Sequence, residues 1–258
     1  MNWRSFTKYD QNRGECRMDI QSTANPKVKQ WMKLLGKKGR HEQGKFIVEG
    51  VTSVLSALEA KAEIDCIVYS GERGMPEELE GRCGSLITYS VSEAVLKKCT
   101  DAVTPQTVFA VVHQQRNAID RLFADDSAPS LVIVCDNIQD PGNLGTIIRS
   151  ADAAGASGVI VSPDSVDIFH PKVIRSTMGS IFHVPVMIAN VVHALDEAAG
   201  RGIQLWTAQP QADVSLYEAD LTQAVWFVIG NEAHGISASV IEKVNHSLSI
   251  PMQGRAES

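Results

Sequence analysis

"CDNIQDPGNLGTIIRSADAAGAS", Cys135–Ser157, begins where the apolar run "LVIVC" ends and passes into a helical pattern. Ile147, Ile148, Ala151 and Ala154 recur at helical spacing, so "TIIRSADAAGA" reads as a helix with one apolar face. Between run and helix lie Asn, Asp, Pro and Gly, residues that turn a chain sharply. A buried strand, a tight loop and a helix form the basic unit of an open parallel α/β sheet. Ligands of such sheets bind beyond the carboxyl ends of the strands. Gly142 and Gly145 let backbone approach a ligand closely, and the free N–H groups of the following helix favour an anion. The spacing is not G-x-G-x-x-G, and no Gly-Lys-Ser/Thr follows to make a P-loop. Arg149 stands among small and apolar neighbours, either facing a ligand or paired with Asp152 or Asp140.

The same alternation continues to the end of the chain. "GVIVS", "VPVMI", "IQLWTA", "VWFVIG" and "SLSIP" read as strands, with helical segments between most of them. Continuous apolar strands alternating with helices predict a buried, mainly parallel sheet. Two more loops fall at carboxyl ends. "GNEAHGIS" follows a buried strand and offers backbone groups and the Glu232 carboxylate to a base edge. "SLSIPMQGRAES" is the third, a strand running into a polar loop.

Upstream, a smaller α/β series is expected. Val28, Trp31, Met32 and Leu35 share one helical face, with Pro26 in the first turn. "KFIVEG", "IDCIVYS", "SLITYS" and "TVFAVVH" read as strands, "VTSVLSALEAK" and "VSEAVLKKCT" as helices. Residues 1–19 read as a flexible, unstructured N-terminal extension, with the folded region starting near Met18. The predicted organisation is this extension, a first domain over 20–113, a short helix and linker over 114–129, and a second domain over 130–258.

Composition narrows the function classes. Hydrophobic content of 44% and charged content of 21% suit a soluble globular protein. No apolar run is long enough to span a bilayer, and the N-terminus lacks the apolar stretch of a secretory signal, so a cytoplasmic protein is expected. Five scattered cysteines without a C-x-x-C pair argue against a disulfide framework or a structural zinc site, and no metal cluster is expected. A net charge of −6 speaks against a general nucleic-acid binder. The charge is uneven, however. Between Lys27 and Lys45, seven cations face only Glu42, a local surplus that suits phosphates or a solvated helix face.

Taken together, the loops resemble the SpoU family of RNA 2′-O-ribose methyltransferases, within the SPOUT class. Asn143 to Arg149 matches its Asn-x-Gly-x-x-x-Arg first motif, Gly230, Glu232 and Gly235 its Gly-x-Glu-x-x-Gly second, and Ile250-Pro251-Met252 the start of its third. "HPKVIRSTMGSIFHVPV" resembles the segment between the first two motifs, and "NPKVK", "KKGR" and "FIVEG" resemble a ribosomal-RNA substrate-binding domain. The resemblance covers about residues 20–258. It implies a parallel sheet tied in a trefoil knot, preceded by a small α/β RNA-binding domain, and a homodimer. It implies S-adenosylmethionine as methyl donor, held at Gly230 and Ile250 with Thr207, Ala208, Asn231 and Met252 beside it. Arg149, Asn143 and Glu232 would form the catalytic side, with Arg149 as base or as phosphate anchor. Lys37, Lys38, Arg40, Lys172 and Arg175 would contact RNA, ribosomal RNA being favoured over transfer RNA. The family's third motif continues into a Leu-Asn pair and a C-terminal helix, so the resemblance implies either a tail following Ser258 or a methyltransferase domain that lacks its C-terminal helix. With the third motif truncated, a catalytically silent RNA-binding module on the same fold is the alternative. A nucleotide-binding oxidoreductase is disfavoured by the missing G-x-G-x-x-G.

Overall fold

The computed structural model describes residues 7–10, 15–115, 117–123 and 130–252. In chain order the elements are β1 (Thr7–Asp10), β2 (Glu15–Ile20), α1 (Pro26–Lys33), α2 (Lys37–Gln43), β3 (Lys45–Glu49), α3 (Val51–Glu59), β4 (Ile64–Ser70), β5 (Thr88–Val91), α4 (Glu93–Lys98) and β6 (Val108–His113). They continue with β7 (Leu131–Cys135), α5 (Pro141–Ala153), β8 (Gly158–Val161), α6 (Pro171–Thr177), β9 (Val186–Ile188), α7 (Val191–Gly200), β10 (Gln204–Ala208), β11 (Val225–Ile229), α8 (Ala238–Ile241) and β12 (His246–Leu248). The chain divides into two compact units, one running to Gln115 with Asp167–His183 added, the other holding the rest.

The first unit is a mixed six-stranded sheet in the order β1-β2-β5-β4-β6-β3. Strand alternation sends side chains to two buried layers. Ile47, Val68, Phe109 and Val111 meet Trp31 and Leu34 of the α1 region on one face. Phe46, Val48, Ile67 and Val108 meet Val54 of α3 on the other, where Ile174 of α6 is also buried. The segment 167–183 belongs here because Phe46 packs on Phe169 at 4.7 Å and Phe182 at 6.3 Å between ring centroids. β1 and β2 pair antiparallel, and β2 pairs parallel with β5 through Arg17 to Ile20. These strands fall within the stretch expected as an unstructured extension. Residues 1–6 and 11–14 of that stretch lie outside the described residues, as do 116 and 124–129 of the expected linker.

The second unit is a six-stranded, all-parallel sheet in the order β12-β10-β11-β7-β8-β9. Its core gathers Val132, Val134, Ile160, Leu195, Leu205, Trp226 and Val228. In this order β7, β11, β10 and β12 are successive neighbours. The three motif loops therefore emerge from one carboxyl edge, where parallel sheets bind ligands, the first two from adjacent strands and the third one strand further on, beyond β10. Among the described residues no helix is long and apolar enough to cross a membrane.

Candidate active site

The first motif loop differs from its sequence reading in where the helix begins. α5 starts at Pro141, not at Thr146, because Asp140 caps it: its side chain accepts the Asn143 N–H at 2.9 Å and proline occupies the first turn. Asn143 is thus in the first turn, and Arg149 is exposed nearly two turns further on. Ahead of the cap, Asn137 adopts a left-handed conformation with φ 58°, which Asn tolerates better than most residues. The chain leaving β8 braces this turn. Ser162 Oγ accepts the Asn137 N–H at 2.9 Å, and Ser165 Oγ accepts that of Ile138 at 3.1 Å.

The second motif loop is stitched to the first. Glu232 accepts from the Asn143 side-chain amide at 3.0 Å and from the backbone N–H groups of Asp140 and Gln139 at 3.2 and 3.3 Å. Partial burial pushes its carboxyl pKa up, but the Asn143 amide and the backbone N–H groups outweigh that and hold it below the ordinary glutamate value. Asn231 donates from Nδ2 to the Asn137 carbonyl at 2.8 Å and accepts the N–H groups of Ala233 and His234. Asn231 and Gly235 also exchange backbone hydrogen bonds of 2.8 and 2.9 Å, closing the neck of the loop. That neck needs glycine at position 230. A Cβ there would lie 2.3 Å from the Gly235 carbonyl carbon and 2.4 Å from the Ile236 nitrogen.

Beside this neck is a cavity of about 560 Å³, lined by Thr207 and Ala208 of β10, by Gly230, Asn231 and Gly235, and by Ile250. Its size lies within the range of small-molecule sites. Thr207 is buried with its hydroxyl donated to the Val228 carbonyl at 3.1 Å, so it shapes the wall rather than offering a free donor. Ile250 is half exposed at the cavity, and Met252, equally exposed, lies outside its wall. Residues 253–258 of the third motif lie outside the described residues. Burial pushes the thiols of Cys66, Cys99 and Cys135 up to about 12, so none of these is a thiolate nucleophile near neutral pH.

The sequence reading brought Asn143, Glu232, Gly230, Asn231, Thr207, Ala208 and Ile250 to one carboxyl edge, and the structure does the same. It missed the bracing groups, Gln139, Ser162 and Ser165. "SPDS" after β8 carried a signal, being a polar turn at the carboxyl end of a third parallel strand.

In the first unit the proposed RNA contacts separate. Lys37, Lys38 and Lys172 are exposed, and Lys38 stands 3.8 Å from Glu42 on the same helix. Arg40 does not fit its expected role. Its side chain is 2% exposed, donates twice to Asp167 Oδ2 at 3.0 and 2.7 Å, and donates to the Leu34 and Leu35 carbonyls. A guanidinium so enclosed holds the fold and does not reach RNA. Arg175 pairs with Asp101 and lies 3.6 Å from Glu49, which leaves it less available than the sequence suggested.

Known proteins match this arrangement. The SpoU rRNA Methylase family model matches residues 130–258, and the MRM3-like substrate binding domain model matches residues 25–110. A 23S rRNA (guanosine(2553)-2′-O)-methyltransferase of Bacillus subtilis is 34% identical over 239 residues, covering 93% of this chain and 92% of the relative. The AdoMet-bound rRNA methyltransferase structure from Sinorhizobium meliloti superposes with a TM-score of 0.81 at 30% identity, covering 94% of this chain and 92% of that one. The AdoMet complex of a SpoU methyltransferase from Streptomyces viridochromogenes gives 0.81 at 30% identity, covering 91% of each chain.

Proposed function

The chain belongs to the SpoU rRNA methylase family, and on that footing we propose that it transfers a methyl group from S-adenosylmethionine to a ribose 2′-hydroxyl of ribosomal RNA. The large-subunit RNA is the favoured substrate, since the Bacillus subtilis relative is named for that reaction. The observation that carries the reading is the convergence of the β10, second-motif and third-motif loops on one cavity at the carboxyl edge of the parallel sheet, with the first motif hydrogen-bonded to the second through Asn143 and Glu232.

The residues fit the donor. Gly230, Asn231, Thr207, Ala208 and Ile250 form a wall of backbone groups and apolar side chains, suited to a purine with a polar ribose and amino-acid tail. Met252 would close over it from the third motif. When bound, the donor supplies a methyl group already activated by a sulfonium, whose leaving group is neutral. The protein's task is alignment of the attacking oxygen and exclusion of water. Glu232 fixes Asn143 and the start of α5, so the substrate side is preorganised. Arg149, exposed on the same helix, is assigned to the phosphate beside the target ribose. A guanidinium presents a planar fork of donors that matches phosphate oxygens and has no acceptor of its own, which suits an anchor better than a base.

The proposal extends to the organisation of the chain. Residues 20–113, on a sheet that β1 and β2 extend, would bind substrate RNA through Lys37, Lys38 and, from α6, Lys172 and Arg175, before a linker over 114–129. Residues 130–258 would form a trefoil-knotted methyltransferase domain that pairs as a homodimer in the cytoplasm. Calorimetry with S-adenosylmethionine, followed by labelled-methyl transfer to ribosomal RNA, tests the reading. Binding near one donor per chain and label in the RNA are expected. Donor binding without any transfer to RNA would overturn the activity.

A further inference from the structure

One buried carboxylate at the carboxyl edge has no place in the site described so far. Asp136 follows β7, is 6% exposed, and is not part of the cavity wall. Its neighbours explain why it is there. Its backbone N–H donates to the carbonyl of Ile229 at 2.8 Å, the last residue of β11 before the second motif loop. Its side-chain Oδ2 accepts the backbone N–H of Ser237 at 2.7 Å, where that loop ends and α8 begins. One residue of the first motif strand thus holds both ends of the loop 230–237. The loop's neck is closed by the Asn231–Gly235 pair, and its returning arm carries Gly235 and Ile236 into the cavity wall, with Ile241 following on α8.

The two grips differ in kind. The Ile229 bond is made by backbone and would survive any side chain except proline. The Ser237 bond needs a carboxylate aimed at one N–H. Burying a carboxylate carries a desolvation cost, and a short charge-assisted bond recovers part of it. A side chain held on those terms is spatially specific, because only one acceptor position satisfies the Ser237 N–H.

We infer that the Asp136 carboxylate is a positioning residue for the methyl-donor pocket. It fixes the returning arm of the second motif loop and touches neither donor nor RNA. Without it, Ser237 loses its acceptor, the arm bearing Gly235 and Ile236 relaxes, and the wall facing the donor loses its shape. Asn143 and Glu232, the latter on the outgoing arm, are held to each other, and Glu232 to the Asp140 N–H, by bonds that do not involve Asp136.

This inference rests on the assignment of the cavity to S-adenosylmethionine. Calorimetry on the full chain separates the two. If the unmodified protein binds no S-adenosylmethionine, the pocket assignment fails. If it binds, Asp136→Ala is expected to weaken donor binding and raise the donor KM by roughly tenfold or more, the value of a charged hydrogen bond. At saturating donor its kcat stays within about threefold, and its affinity for ribosomal RNA is unchanged. A purely structural role would lower RNA affinity and kcat together with donor binding. Asp136→Asn keeps an uncharged acceptor and is expected to fall between the two, severalfold weaker than the unmodified chain. Donor affinity unchanged in a folded Asp136→Ala variant would overturn the inference. Should that variant not fold, unchanged donor affinity in Asp136→Asn would do the same.

Discussion

Asn143 and Glu232 stand 89 residues apart in the chain and 3.0 Å apart in the fold, amide nitrogen to carboxylate oxygen. Each belongs to a different loop, and the bond exists because β7 and β11 are parallel neighbours whose carboxyl ends align at Cys135 and Ile229. Glu232 also accepts two backbone N–H groups ahead of α5. Its acceptor capacity is directed at holding the first motif in place.

Replacing Glu232 by Gln should therefore damage the reaction more than donor binding. Gln puts an NH₂ where N–H groups already point. Loss of charged hydrogen bonds worth about 1.5–3 kcal/mol each predicts a fall in kcat of roughly tenfold to a hundredfold, with donor affinity within about threefold. Single-turnover methyl transfer and calorimetry measure the two. The pH dependence has a definite sign. The folded carboxyl lies below its ordinary value of 4.5, so its contribution is complete above that value and is lost as pH falls through the lower folded value. A pH–rate profile should show no Glu232 inflection on the neutral side of about pH 5.

Gly230→Ala should abolish donor binding. The added carbon would meet backbone atoms at 2.3 and 2.4 Å, which cannot swing away as a side-chain end can. Near-unmodified donor affinity in this variant would show that the loop neck is not the pocket wall.

Arg40→Ala should destabilise the first unit by about 3–5 kcal/mol, since it leaves the Asp167 carboxylate and the carbonyls of Leu34 and Leu35 without their buried partner. Arg40→Lys should rescue little, because an ammonium cannot reproduce the forked geometry. Lys37→Ala and Lys38→Ala should leave stability nearly unchanged and each lower the salt slope of RNA binding by about one. Thermal melting and filter binding across a salt series separate the two behaviours.

Glu49→Gln should stabilise the same unit near neutrality. Burial raises the Glu49 carboxyl above its ordinary 4.5, outweighing the Thr100 hydrogen bond and Arg175, and its Oε2 has no hydrogen-bond partner among the described residues. A raised folded value means that stability is full below the ordinary value and is lost as pH rises through the folded one. The melting temperature of the Gln variant should match the unmodified protein near pH 4 and exceed it near pH 7.

The carboxyl-edge loops were legible because their signals are local. An apolar strand, a cluster of turn residues and a helical period occur together around Asn143, and again in part around Gly230. The side-to-side order of the strands was not legible, since no local pattern encodes which parallel strands become neighbours. Arg40 shows the same limit. Its sequence neighbours are cations that suggest phosphate, while its actual partner, Asp167, lies 127 residues away. The segment 167–183 read as part of the second series, yet Phe169, Ile174 and Phe182 pack in a core of the first unit. Asp136 passed as one more turn residue because its role depends on Ser237, 101 residues downstream.

The central claim is methylation of a ribose oxygen. Ribosomal RNA lacking the modification would be incubated with the protein and labelled S-adenosylmethionine, then hydrolysed completely in alkali. A methylated 2′-oxygen cannot attack the adjacent phosphodiester, so the label should remain in an alkali-resistant dinucleotide, and Arg149→Ala should yield none while melting like the unmodified protein. Label recovered only in mononucleotides, on a base, or transferred equally by Arg149→Ala would contradict the account.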